Sequence, residues 1–245
     1  MFQIERSVSL AGLSVDPPAG VGADLRSLLA WISARGARAV TLDATAADVR
    51  PRDLDSSARR EVAALVGRHG LSLAGVDVWV PESHFASVAT VQRAADAVDA
   101  AVVMAGQLAT RLGAGRVIVS VGLGRAPSEV VSAMLRTAER EGVELVDGSW
   151  PMRDDGGARV GVDPAAVLAA GGEPASVVME LSKAGRLGSA RLSDFDGVER
   201  VVVGRGRLDV VGYAASCGVA GVRGVVVDLR GRFSKEDGVV AGLGG

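Results

Sequence analysis

Hydrophobic and polar positions along this 245-residue chain follow a repeating beat. A short run of Val, Leu and Ile gives way to a turn, then to a stretch with helical spacing that ends on glycine, then to the next apolar run. The first four runs are Ser7 to Val15, Arg38 to Thr45, Leu71 to Pro81 and Arg116 to Gly122. The second half supplies Val143 to Ser149, Ala158 to Pro164, Gly188 to Phe195 and Val222 to Gly231. Most are near-continuous rather than alternating, the pattern of strands buried on both faces. Strands alternating with helices imply a parallel sheet. Eight such units in this length predict a (β/α)8 TIM barrel, with function gathered at the carboxyl ends of the strands.

The intervening stretches carry their own signals. Leu25, Leu28, Leu29 and Ile32 share one helical face, as do Val131, Met134, Leu135 and Ala138. Gly36, Gly70, Gly113, Gly142 and Gly185 each stand where a left-handed helix cap is expected. After the eighth run only Phe233 to Leu243 remain, so the final helix should be short or missing.

Composition fits one domain spanning residues 1–245, since 48% hydrophobic and 23% charged residues can supply a large core. No apolar stretch approaches the roughly 20 residues of a membrane span. Glu5 and Arg6 interrupt any signal-like start, so a cytoplasmic protein with no membrane partner is expected. Cys217 is the sole cysteine, which excludes an intrachain disulfide and a thiolate metal cluster. It is expected as a small buried residue on a helix. Net charge is −2 without a basic run, which argues against nucleic acid as a partner. The chain alone does not fix the oligomeric state, and a homo-oligomer is compatible with it.

Several segments carry a resemblance. Gly75 to Phe85 (GVDVWVPESHF) precedes a helix that reaches Leu108 to Gly122 (LATRLGAGRVIVSVG). Later come Glu139 to Asp147 (EREGVELVD), Ser189 to Gly197 (SARLSDFDG) and the long segment Gly204 to Leu229. In order and spacing these segments resemble the sugar phosphate isomerase/epimerase family, the xylose isomerase-like TIM barrels, over essentially the whole chain. The resemblance implies a divalent metal (manganese, magnesium, cobalt or zinc) held by carboxylates at strands five, six and eight and by a histidine at strand seven. Those carboxylates fall on Asp147, Asp163 and Asp228. Asp147 and Asp228 would also shuttle a proton at the sugar carbon beside the carbonyl. A hard cation polarises that carbonyl while a carboxylate takes the proton.

The chain departs from this pattern at strand seven. Arg191 stands where the family commonly has histidine, in the run Arg191, Leu192, Ser193, Asp194. A guanidinium stays protonated and offers only donors, so it cannot ligate a metal. Only His69 and His84 are present, which excludes a histidine-rich centre. A three-carboxylate metal site remains open. Equally, Arg191 could pair with the carboxylates and replace the metal.

Other candidates have a functional and a structural reading. Trp79 could wall a sugar ring or fill core, and His84, leaving strand three, could contact substrate or pack in a loop. Arg191 and Asp194 could hold substrate hydroxyls or each other. His69 in Arg-His-Gly reads as a helix-end residue. Gly122 with Gly124, and Gly204 with Gly206, lack the last glycine of a nucleotide-binding loop and read as tight turns. Three functions follow. The first is an isomerase or epimerase acting on a small sugar, polyol or keto acid by carboxylate proton transfer with metal assistance. The second is a degenerate barrel that binds or assembles without turnover. The third, an endonuclease of the same fold, is disfavoured by charge and by histidine count.

Overall fold

The computed structural model describes residues 4–153 and 157–244. Eight parallel strands close into a barrel: β1 (Glu5–Ser9), β2 (Ala39–Asp43), β3 (Ser72–Val78), β4 (Ile118–Val121), β5 (Glu144–Asp147), β6 (Arg159–Val162), β7 (Leu187–Leu192) and β10 (Gly224–Val227). A two-stranded antiparallel hairpin, β8 (Asp194–Phe195) and β9 (Arg200–Val201), rises between β7 and β10. Closure comes from β1, which pairs with β2 on one side and β10 on the other. No helix among the described residues is long and apolar enough to cross a membrane.

Side chains alternate across each strand, and here the two faces differ sharply. Val8, Val40, Val76, Val119 and Leu145 join the helices in one apolar cluster. Val160, Val162, Ala190 and Val225 join Tyr213 and Cys217 in a second. On the opposite parity stand Ser7, Thr41, Gly75, Gly161 and Ser189, facing the barrel axis. The core therefore lies between sheet and helices.

The expected helical faces are buried as the spacing implied. Leu25, Leu28, Leu29 and Ile32 lie inside helix Leu25–Ala34, while Leu135 on helix Ser128–Glu141 is only half-buried. All five cap glycines have positive φ, among them Gly113 at 59° and Gly142 at 68°, a backbone that suits glycine. Cys217 is buried on helix Val210–Val219, and burial pushes its thiol up to about 11.

Two boundaries differ from expectation, and the closing helix agrees with it. The first apolar run is not one strand: β1 stops at Ser9 and Ala11–Val15 turns into a short helix. An apolar run of this kind cannot distinguish strand from buried helix. The seventh run is likewise split, because β7 ends at Leu192 and Asp194 begins the hairpin. The closing helix is short but present, Lys235–Gly244, and it packs tightly. A Cβ at Gly242 would collide with Val227, and Arg6 Nη1 donates to the Leu243 carbonyl at 2.8 Å.

Candidate functional site

The carboxyl ends of β3, β6, β7 and β10 converge on a lattice of three carboxylates and three guanidiniums. Asp77 comes from β3 and Arg191 from β7; Asp163 and Asp228 directly follow β6 and β10. Arg230 lies two residues beyond Asp228, and the hairpin delivers Arg200. Arg191 donates through both Nη atoms to Asp77 and through Nη1 to Asp228 Oδ2 at 3.4 Å. Arg230 forks onto Asp228, with Nε at 2.9 Å from Oδ1 and 3.0 Å from Oδ2, and reaches Asp163 Oδ2 at 3.0 Å. Arg200 donates to Asp163 through Nη2 and lies 3.7 Å from Asp228 Oδ2.

Hydroxyls complete the carboxylates. Ser9 Oγ donates to Asp77 Oδ2 at 2.6 Å, and Ser193 Oγ to Asp163 Oδ1 at 2.7 Å. Tyr213, whose ionisation burial pushes well above its ordinary value, donates to the Arg191 carbonyl at 3.0 Å. Burial opposes the charge on Asp228, yet Arg230, Arg191 and Arg200 more than offset it and hold the carboxyl below the usual range. Asp163 is lowered against burial by Arg200 and Arg230. Burial also opposes the charge on Arg191, and Asp77 with Asp228 outweighs it. Asp228 is thus held ionised by its arginine partners, and is a poor base.

Above the lattice opens a cavity of about 400 Å³ walled by Trp79, Glu82, Trp150, Arg191, Arg200 and Arg230. Arg230 stacks over the Trp79 ring at 3.7 Å and Arg191 stands 5.0 Å from its centroid. Two donors in these walls, Trp79 Nε1 and Arg200 Nη1, are buried without a hydrogen-bond acceptor. Glu82 lies against Gly122 and Gly124, where even a Cβ at Gly124 would meet its carboxylate. Desolvation, then the charge of Asp147, raises the Glu82 carboxyl above its ordinary value.

The residues singled out from the sequence separate into two groups. Trp79, Asp163, Arg191 and Asp228 meet at this rim. Asp147 does not join them, because its parity on β5 is that of Leu145, on the helix side. Its Oδ1 accepts from Leu123 N, Ser149 N and Ser149 Oγ at 3.0, 2.9 and 2.6 Å, which fixes the turns after β4 and β5. Asp194 is wholly buried, accepting four backbone N–H groups, from Phe195, Gly204, Gly206 and Leu208. Its carboxylate organises the hairpin loop and makes no contact with Arg191. His84 sits on the short helix Ser83–Ala86 and does not line the cavity. Glu82, in the exit of strand three beside Trp79, lies at the rim where that exit was expected, whereas Asp77, Arg200 and Arg230 entered unannounced, although Asp77 and Asp228 both stand near strand ends.

No protein-family model and no curated protein matches the chain. Solved structures do. A xylose isomerase-like TIM barrel protein from Mycobacterium smegmatis, in complex with magnesium, superposes with a TM-score of 0.71 at 12% identity, covering 98% of this chain and 94% of that one. D-psicose 3-epimerase with D-tagatose from Clostridium cellulolyticum gives 0.69 at 13% identity, over 92% and 84%. A probable 3-DHS dehydratase from Bacillus anthracis gives 0.69 at 8% identity, over 98% of each chain. This chain shares the TIM-barrel fold of these proteins. Fold does not carry activity with it.

The metal that the resemblance implied does not fit these residues. Among the described residues no three His, Cys, Asp or Glu side chains gather so as to hold an ion. Asp163 and Asp228 already accept from arginine on the oxygens a cation would need, and three guanidiniums would repel it. Asp147, the third expected ligand, faces the wrong way.

Proposed function

We propose that this barrel binds a small carbohydrate-like molecule bearing an oxyanion in the rim cavity, and that it does so without a divalent metal. The observation that carries this reading is Trp79 Nε1, buried without a hydrogen-bond acceptor, beside Arg200 Nη1, whose one partner is an ion pair with Asp228 Oδ2 at 3.7 Å. A buried donor left unpaired costs about 1–3 kcal/mol, so a ligand oxygen arriving there recovers it. Arginine suits carboxylate or phosphate, and two indoles suit the C–H face of a sugar ring. D-tagatose in one structural neighbour supports a ligand of this size and hydroxyl content.

A second reading, isomerase or epimerase, is favoured by Glu82. Its carboxyl enters the same cavity with a raised proton affinity, as a general base requires. Glu82 would take the proton from the carbon beside the ligand carbonyl and return it, while Arg200 stabilised the enediolate oxygen. Asp147 and Asp228 have no place in this step.

Calorimetric titration with a sugar acid and with the neutral sugar of the same skeleton, both in chelator, tests the first reading. The acid should bind more tightly, and Arg200→Ala should remove that preference. Equal affinity for the two sugars would refute the oxyanion subsite. Exchange of the carbon-bound hydrogen for solvent deuterium, followed by NMR, tests the second. Exchange that Glu82→Gln abolishes would establish turnover, and its complete absence across aldoses, ketoses and keto acids would leave a binding protein.

A further inference from the structure

Barrels of this kind ordinarily fill their axis with layers of Val, Ile and Leu. Here the axis around the lower half carries Ser7, Thr41, Gly75 and Ser189, with Val146 and Val226 as apolar side chains of the same parity. A cavity of about 470 Å³ results, entering from the amino ends of the strands. Ser120 lines both this cavity and the rim cavity. Ser7 Oγ and Thr41 Oγ1 lie 3.2 Å apart, and Ser189 supplies a further hydroxyl. Leu73, Ile118, Leu187 and Val226 add apolar wall between them. Charge is confined to the mouth, where Arg116 and Arg159 both pair with Glu144.

From this juxtaposition we propose a second binding site, for a small uncharged polyol, inside the amino-terminal half of the barrel axis. Hydroxyl walls both donate and accept, which matches a ligand whose oxygens do the same. Alternating apolar wall takes the C–H groups of such a ligand. The volume falls within the range of small-molecule sites, about 300–1,000 Å³. Polar walls exclude a dry void, and the confined charges give an ionic ligand no partner inside. The site stands independently of whatever occupies the rim.

Titration of the whole protein with glycerol, erythritol and xylitol, by calorimetry and by saturation-transfer NMR, tests this. At least one polyol should bind saturably, and Ser189→Val, which fills the space, should weaken it about tenfold or more. Ser7→Ala and Ser189→Ala, which remove hydroxyls without adding bulk, should weaken it less but measurably, so a misfolded valine variant leaves the test intact. Arg200→Ala, confined to the rim, should leave polyol affinity unchanged. Binding lost in Arg200→Ala but kept in the Ser189 variants would assign the polyol to the rim and overturn the proposal. An absence of binding by all three polyols, with the axis holding water only, would overturn it as well.

Discussion

The two halves of the barrel axis are made of opposite materials. At the carboxyl end, three Asp and three Arg fill the space with charges that balance one another. At the amino end the same strands supply Ser, Thr and Gly, and the space stays open. Parity is shared: Ser7 precedes Ser9, Gly75 precedes Asp77, and Ser189 precedes Arg191, two residues apart on one face of each strand. Packing thus tolerates hollow space below because apolar adhesion lies outside the sheet. Above, each buried charge depends on its partner, so the upper half is brittle and the lower half forgiving.

Breaking the upper half should have the largest effect. Arg191→Met leaves Asp77 without its cation and deprives Asp228 of one of three, in a buried setting. Removing one partner of a buried pair costs about 3–5 kcal/mol. Denaturant unfolding of the variant should show a loss of that order, and adding Asp77→Leu should recover much of it. A loss below about 1 kcal/mol, the value for an exposed pair, would mean that the lattice is not truly buried.

A smaller effect is expected from pH. Folding lowers the pKa values of Asp163 and Asp228 below their ordinary 3.8. A lowered carboxylate contributes stability that is complete above the unfolded-state value and is lost as pH falls through the folded one. Thermal unfolding should therefore be insensitive to this pair above about pH 4 and fall steeply in more acid solution. Asp228→Asn should flatten that acid limb. An unchanged limb in Asp228→Asn would assign the acid sensitivity to other carboxylates.

The lower half should respond least. Ser7→Ala removes a hydroxyl that faces open space and one neighbour, Thr41. Stability should move by about 1 kcal/mol or less, the net worth of one hydrogen bond. A loss comparable to that of Arg191→Met would erase the contrast between the halves.

Sequence periodicity exposes the barrel, because buried parallel strands must be apolar and helix ends demand glycine. Eight apolar runs map onto eight barrel strands, and five cap glycines have positive φ. The hairpin Asp194–Val201 is hidden within what looks like the exit of a strand, since its organising force is Asp194 gathering four N–H groups through the tertiary fold. The rim was half legible. Arg191 stands out as a cation at a strand end, but its partner Asp77 is 114 positions away. Asp147 stands at the carboxyl end of its strand, as Asp77 and Asp228 do of theirs, and only register, which sets it opposite Val121, shows that it faces the helices. Arg200 was beyond reach because nothing local announces which way a two-stranded hairpin leans.

The replacement of a metal by arginine is tested most directly by calorimetric titration of the chelator-treated protein with manganese and with magnesium. Arginine replacement predicts no saturable heat and no rise in Tm at millimolar metal, because a ligand that binds only the native state must stabilise it. Saturable binding that Asp228→Asn abolishes would contradict it, showing that the guanidiniums yield their carboxylates to a cation.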